Sequence, residues 1–319
     1  MSTQKNILNS NFIKFRSLLK SELGLVFILF SLIITFSIFS EYFLTSRNLL
    51  NITRQISINL IIAIGMTFVI LTGEIDLSVG SIAALAGVAT GSVIVVTSSI
   101  FLGIMAGIFV GVLIGLLNGV LTVYGKVQSF IVTLAMLGLA RGLALVWTDG
   151  KPISGLPSNF SILGAGYVGI IPVSTIVAIF IFVITFIIFS RTKHGVYIRS
   201  IGANREAARL SAIPVKRYRI IAFLLSGLLS AVGGIIITSR LISAQPTAAE
   251  GMELNVIAAV ILGGSSLSGG IGTITGTLLG AIIIGVINNG MNLIGISAFF
   301  QQIVKGIIIL VAVLAKRGE

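Results

Sequence analysis

The chain contains no cysteine, one histidine and one tryptophan, and only 9% of its 319 residues are charged. The missing cysteines exclude disulfides and thiolate metal sites. The one histidine, His194, lies in a charged segment far from the serines of the apolar runs, which argues against a Ser-His hydrolase or intramembrane protease. No Gly-x-x-x-x-Gly-Lys-[Ser/Thr] run is present, so the glycine-rich stretch 263–272 is no P-loop and any ATPase is another chain. The scarcity of charge excludes most. A soluble globular chain carries roughly 25% charged residues, and a sequence 56% hydrophobic with mean hydropathy +1.13 cannot make such a surface. The composition is that of a polytopic membrane protein. A net charge of +12 would suit nucleic acid if the cations formed one patch or stripe. They lie between apolar runs instead, so no nucleic-acid partner is expected.

What is present is a series of apolar runs of the length a bilayer core requires. Approximate spans fall at 23–40, 56–73, 79–98, 100–123, 128–147, 172–190, 220–240, 252–264, 274–293 and 299–315. This predicts an all-α fold with about ten transmembrane helices in one domain over 1–319. The first run lacks a good small-residue cleavage site, so it reads as an uncleaved span behind a cytoplasmic tail, residues 1–22, with Lys5, Lys14, Arg16 and Lys20. Alternating from there, the inner segments and the tail collect 15 of the 21 Lys and Arg residues. The outer segments keep chiefly Arg47, Arg54 and Lys151. That asymmetry places both termini in the cytoplasm. The outer loops 148–171 and 241–251 either face a docking partner or merely connect helices.

Two glycine-rich breaks interrupt the apolar sequence: Gly73-Glu-Ile-Asp-Leu-Ser-Val-Gly80 and Gly263-Gly-Ser-Ser-Leu-Ser-Gly-Gly270. Their flanks match, Val69-Ile-Leu-Thr-Gly73 against Val260-Ile-Leu-Gly-Gly264, which makes a weak internal repeat. Paired broken segments point to a transport path, because non-helical backbone at membrane depth must be buried in protein or line a wet cavity. The plainer reading is two tight cytoplasmic turns. On the path reading the candidate residues are Gly73, Glu74, Asp76, Ser78, Gly80, Gly264, Ser265, Ser266, Ser268 and Asn288. Glu74 and Asp76 admit several roles: proton or sodium coupling, capping of the next helix by Asp76 or Ser78, or an ion pair such as one with Lys305. Gly103, Gly107, Gly111, Gly115 and Gly119 recur every four residues and predict a face of close helix packing. Asn118, Asn288, Asn289 and Asn292 either bond across helices or offer polar contacts to a solute.

The segment 191–219 is the only sizeable charged stretch between long spans. Asn204 can cap a helix whose first turn holds Glu206, where the helix dipole favours an anion. Pro214 biases Ile213 out of the helical region, so the helix is about two turns long. One so short is marginal alone in water and must rest on something.

The motifs Gly65-Met-Thr-Phe-Val-Ile-Leu-Thr-Gly-Glu-Ile-Asp-Leu-Ser-Val-Gly-Ser81, Gly202-Ala-Asn-Arg-Glu-Ala-Ala-Arg-Leu-Ser211, Ser243-Ala-Gln-Pro-Thr247 and Ile257-Ala-Ala-Val-Ile-Leu-Gly-Gly-Ser-Ser-Leu-Ser-Gly-Gly270 resemble the sugar-transporting permeases of bacterial ABC importers. The likeness covers nearly the whole chain, and 243–314 is particularly similar to members that carry ribose. The resemblance implies a multi-pass subunit of a bacterial plasma membrane that imports a monosaccharide. It implies three protein partners: a separate ATP-binding subunit holding ATP and Mg, an extracytoplasmic sugar-binding protein, and a second permease copy. This chain itself would hold no cofactor. It further implies that Gly202, Asn204, Arg205, Glu206, Ala207, Ala208, Arg209 and Pro214 belong to the loop that docks on the ATPase. Ala212 stands where related loops often carry glycine. The alternative is an ion-coupled secondary transporter using Glu74 or Asp76, which would need no ATPase.

Overall fold

A computed structural model describes residues 22–316. The tail cations Lys5, Lys14, Arg16 and Lys20 lie outside the described residues. The helices are α1 (Glu22–Phe39), α2 (Ser46–Leu71), α3 (Val79–Thr97), α4 (Ile100–Val123), α5 (Ser129–Thr148), α6 (Ile162–Ala165), α7 (Val173–Arg191), α8 (Lys193–Ala203), α9 (Arg205–Leu210), α10 (Val215–Leu241), α11 (Met252–Leu262), α12 (Ile274–Leu293) and α13 (Ala298–Lys316). A two-residue hairpin pairs Tyr167–Val168 (β1) with Ile171–Pro172 (β2). Every expected apolar run carries a helix. Among the described residues seven helices, α2, α3, α4, α5, α7, α10 and α12, are long and apolar enough to cross a membrane.

The run 252–264 does not span as expected. Its helix α11 has 11 residues, about 17 Å at 1.5 Å per residue, against a hydrocarbon core of about 30 Å. The distance is completed by irregular chain: residues 244–251 enter the bundle from one end before α11 begins. Ala244 packs against Gly91 of α3, whereas Ala249 packs against Gly80 near the start of the same helix. Eleven residues separate those two glycines, so the outer loop descends roughly 16 Å alongside α3.

Sequence determines which helices are central. From Ser57 to Leu71, α2 is buried on every side, as expected of a stretch apolar all round. It packs against α10, α12, α7 and α11. The glycine stride of α4 is buried as a face, with Gly103 on Ile94, Gly107 on Thr90, Gly111 on Ala231, Gly115 on Phe223 and Gly119 on Ile220. On the partner side Gly227 of α10 meets the backbone of Gly111 and Gly115, so two helices touch where neither has a side chain. Such contact maximises dispersion and backbone approach in a setting where lipid is as apolar as leucine.

Several polar residues of the spans bond between helices. Asn48 of α2 and Asn289 of α12 exchange amide hydrogen bonds of 2.9 Å in both directions. Thr67 and Thr277 hydroxyls lie 2.7 Å apart, and Gln301 donates to Asn292 at 2.7 Å. The loop 148–171 is fixed by hydrogen bonds to α10. It carries a 3-10 turn at Ser158–Ser161, and the Ser239 hydroxyl donates to Phe160 O and accepts from the Gly164 amide. Ile153 and Ala244 join the two outer loops through a pair of backbone hydrogen bonds.

Candidate functional site

The charged segment 191–219 carries two short helices before α10 begins. The charge-rich stretch hid α8, whose Ile198 and Ile201 are buried at a helical spacing that was legible in the sequence. The second, α9, matches expectation. Asn204 Oδ1 accepts from the amides of Glu206 and Ala207 at 3.0 Å, Ala208 is its buried residue, and the chain turns at Ile213-Pro214 into α10. Ala212 adopts φ +59° in that turn, where a glycine would carry no Cβ penalty. Glu206 and Arg209 form an exposed pair one turn apart. The hydrogen bond from Arg209 holds the Glu206 carboxyl below the usual carboxylate range, and the carboxylate raises the Arg209 guanidinium in return.

The two helices rest on the two glycine-rich breaks. In each break the preceding helix ends the same way. The Gly73 amide donates to Ile70 O and the Glu74 amide to Val69 O; the Gly264 amide donates to Ile261 O and the Ser265 amide to Val260 O. Both glycines have positive φ, +76° and +95°, a conformation a Cβ opposes. The internal repeat is therefore a repeated backbone turn. The breaks also touch, since the Gly270 amide donates to Leu71 O at 3.0 Å. Gly202, at the end of α8, lies against Leu71 O and Gly270 N together. Gly202 thus sits where the end of α2 meets the second break.

Glu74 is the polar centre of this junction. Its Oε1 accepts from Arg205 Nη2 at 2.7 Å and from Arg219 Nε at 2.9 Å, with Arg219 Nη2 closer still. Arg205 Nη2 also donates to Thr72 O at 3.2 Å. The Glu74–Lys305 pair considered from sequence is not formed, because Arg205 and Arg219 occupy the carboxylate. Beyond it the first break runs inward. Asp76 accepts from the Ser78 amide and hydroxyl at 3.0 and 2.5 Å and from Ser226 Oγ at 2.8 Å. Asn118 Nδ2 donates to Ser78 Oγ at 2.9 Å. Neither Asp76 nor Ser78 caps α3 as expected: Asp76 holds the amide of Ser78, the residue before the helix, and Ser78 at the N-cap position makes no side-chain bond into it. Ile75 is held from α5, its amide donating to Ser129 Oγ and its carbonyl accepting from Thr133 Oγ1, both at 3.2 Å. From Arg219 to Ser226 along α10 is roughly 10 Å, so the break penetrates the bundle by that depth.

The expected path residues therefore divide. Gly73 and Glu74 line a cavity of about 490 Å³ with Lys126, Gln128, Ser129, Arg205 and Arg219. Asp76, Ser78 and Gly80 are sealed by packing. Gly264, Ser265, Ser266 and Ser268 form the second turn, where the Ser266 amide donates to Ile271 O and the Ser268 amide to Ser266 Oγ. Asn288 is half-buried, and its Oδ1 has no hydrogen-bond partner among the described residues. Sequence reasoning missed Arg219 and Ser226, which hold the two acids of the break from 145 and 150 residues away. No group of three or more His, Cys, Asp or Glu is placed to hold a metal among the described residues.

A bundle of apolar spans, broken twice at one turn motif and joined there to a short polar helix, defines a multi-pass membrane permease. Residues 48–313 match the family described as the permease component of branched-chain amino acid transport systems, and the chain belongs to it. It is 52% identical over 300 residues to a ribose import permease protein of Bacillus subtilis strain 168, covering 93% of each chain. It is 43% identical over 287 residues to the ribose import permease protein of Escherichia coli K12, 89% of each. An L-arabinose transport system permease protein of Escherichia coli K12 is 41% identical over 297 residues, 93% of this chain and 90% of that one. No solved structure matches.

Proposed function

We propose that this chain is the membrane-spanning subunit of a binding-protein-dependent importer that carries a monosaccharide, with ribose the favoured substrate, across the bacterial plasma membrane. The names of its relatives support ribose over other sugars. The end bearing α8 and α9 is the cytoplasmic one, by its Lys and Arg excess. There α9 meets an ATP-binding subunit, which holds ATP and Mg and does the hydrolysis, while the outer loops 148–171 and 241–251 meet an extracytoplasmic sugar-binding protein. A second copy of the chain completes the transmembrane unit.

The observation that carries this reading is the attachment of α9 to the break through Arg205 and Glu74. Closure of paired ATPases pushes α9; because Arg205 is bonded to Glu74 and to Thr72 O, the push passes to the joint of α2 with α3. Through Gly202 it passes also to the turn between α11 and α12. Helices that separate at the inner end and close at the outer one, or the reverse, give alternating access around this joint. Hydrolysis resets it. The acids of the break are engaged elsewhere, Glu74 by two arginines and Asp76 by three donors, which leaves neither carboxylate of the break free for ion coupling.

Proteoliposomes containing this chain, its ATPase and the binding protein test the reading. Uptake of ribose that requires ATP and the binding protein is the expected result. Uptake driven by a proton or sodium gradient without the ATPase overturns it.

A further inference from the structure

Two cavities of different character adjoin at the inner end of the fold. The one beside the first break, of about 490 Å³, is lined by Lys126, Arg205 and Arg219 against a single carboxylate, Glu74. Its neighbour is a groove of about 700 Å³ that carries the apolar side chains of Tyr124, Ile213, Ile220 and Ile221 and shares Arg205 and Arg219 with the first. The two arginines thus stand between a basic pocket and an apolar strip. Both cavities lie where α4 ends and α10 begins, at the end of the spans that the Lys and Arg excess makes cytoplasmic. Val127 and Phe130 in the lining of the first, and Tyr124 in that of the second, are exposed. The Lys216 ammonium lies 5.3 Å from the centre of the Tyr124 ring. Cations and aromatic rings at one level are the side chains that suit a bilayer boundary.

The cations of the first cavity have unused capacity. Every side-chain hydrogen bond of Arg205 among the described residues runs through Nη2, which leaves Nε and Nη1 for a ligand. Lys126 is exposed and forms no ion pair among the described residues. An uncharged residue points the same way. Thr122 lines the cavity and is only 3% exposed, and its hydroxyl has no hydrogen-bond partner among the described residues. A sealed hydroxyl without a partner is costly. A phosphate has the charge and the number of acceptor oxygens to engage all three groups. We infer that the first cavity seats the phosphate of an anionic phospholipid of the cytoplasmic leaflet, with an acyl chain lying along the adjoining groove. The apolar strip favours a lipid over a free anion, which gains nothing from Ile220 and Ile221. The exposed Phe130 and Val127 favour it over an acidic side chain of another protein, which arrives through water. The headgroup offsets the excess positive charge around Glu74 while Arg205 keeps Nη2 on that carboxylate. The site is independent of what the chain transports.

The chain has one tryptophan, which makes a direct test possible. Trp147 lies near the far end of α5 from Phe130, about 25 Å away along the helix. The double variant Phe130→Trp with Trp147→Phe moves the single indole to the edge of the cavity, and the natural chain serves as the control. Each is placed in phosphatidylcholine bilayers containing a minor fraction of phosphatidylglycerol, one lipid or the other brominated on its acyl chains, and quenching of the indole reads which lipid sits beside it. The expected result is a preference for phosphatidylglycerol of at least about tenfold at position 130, the scale of two cations at a membrane surface, and none at position 147. Lys126→Gln in the probe chain should cut that preference by about fivefold, the scale of one cation, and Lys126→Arg should keep it. Thr122→Val should lower it several-fold with no change of charge, which a diffuse attraction to basic residues does not produce. Equal preference at 130 and 147, or a preference that Lys126→Gln leaves intact, overturns the proposal. Loss of the preference on adding inorganic phosphate shows a site for the free anion and overturns the lipid. Loss of it when the ATP-binding subunit is assembled on the chain gives the cavity to that subunit and likewise overturns the lipid. None of these outcomes depends on whether the assembled complex imports ribose.

Discussion

Arg205, the first residue of the two-turn helix α9, donates to Glu74, a carboxylate only 6% exposed that sits at the break between α2 and α3, at 2.7 Å. The two residues are 131 positions apart. Together they make a helix that sequence placed at the surface continuous with backbone inside the bundle. Arg219 approaches the same oxygen from α10, so one carboxylate collects three structural elements.

The two arginines are not equal partners. Arg219 is 14% exposed and offers two N–H groups to Glu74, whereas Arg205 is 46% exposed and offers one. Removing a partner from a buried pair costs about 3 to 5 kcal/mol, and an exposed pair is worth about 0 to 1. Arg219→Ala should therefore lower the thermal unfolding midpoint of the purified chain in detergent clearly, by an amount corresponding to about 2 kcal/mol or more, and Arg205→Ala only slightly. Equal losses would show that solvent does not separate the two contacts.

Gly202→Ala places a methyl group against Leu71 O and Gly270 N, both backbone atoms that cannot rotate away. Overpacking of this kind costs typically about 1–3 kcal/mol, and here it also pries α8 off both breaks. The expected outcome is reduced yield of folded protein together with loss of coupled transport. A fluorescence-detected gel filtration profile like that of wild type, with full uptake, would mean that the junction yields without consequence.

Ala212→Gly should act in the opposite direction. The residue occupies φ +59°, where an L side chain costs on the order of 1 kcal/mol and glycine none. Part of that gain is returned through the greater freedom of glycine in the unfolded chain. A small rise or no change in thermal stability, read by differential scanning fluorimetry, is expected; a clear fall would show that the alanine methyl makes a contact that offsets the strain.

On the proposed docking of α9 to the ATPase, the exposed Glu206–Arg209 pair fixes the pH response of that contact. The Glu206 carboxyl is held below its ordinary value by Arg209, so its contribution is present above the unfolded-state carboxylate range of roughly pH 4 and is lost only as pH falls through the still lower folded value. Binding of the ATPase subunit should accordingly be flat between about pH 6 and 8. It should weaken with added salt, because both side chains are exposed. A titration midpoint near neutrality that survives Glu206→Gln would place the responsible group elsewhere.

Local patterns carried much of this architecture in the open. The four-residue glycine stride of 103–119, the Asn204 cap ended by Pro214, and the matched flanks of the two breaks each encode a feature within a short stretch of chain, and each folds as it reads. What could not be read is what closes over distance. A carboxylate at 74 in a chain with 21 cations gives no hint that Arg205 and Arg219, not Lys305, will reach it. The descent of 244–251 was hidden for a different reason. The apolar run 252–264 is long enough to suggest a span on hydropathy, while its helix stops at 11 residues because the turn at Gly263-Gly264 ends it and Gly251 begins it, and neither glycine alone announces a half-helix.

The account turns on whether α9 is mechanically tied to the break, and Arg205→Gln tests this most directly. The substitution removes the charged bond to Glu74 but leaves Arg219 on that carboxylate and leaves the Glu206–Arg209 face in place. In proteoliposomes with the ATPase and binding protein, the ATPase should still associate, while stimulation of ATP hydrolysis by sugar-loaded binding protein and ribose uptake fall together by roughly tenfold, the scale of a coupling free energy of about 1–3 kcal/mol. Undiminished stimulation and uptake would contradict the account, since the push on α9 would then reach the helices without passing through Glu74.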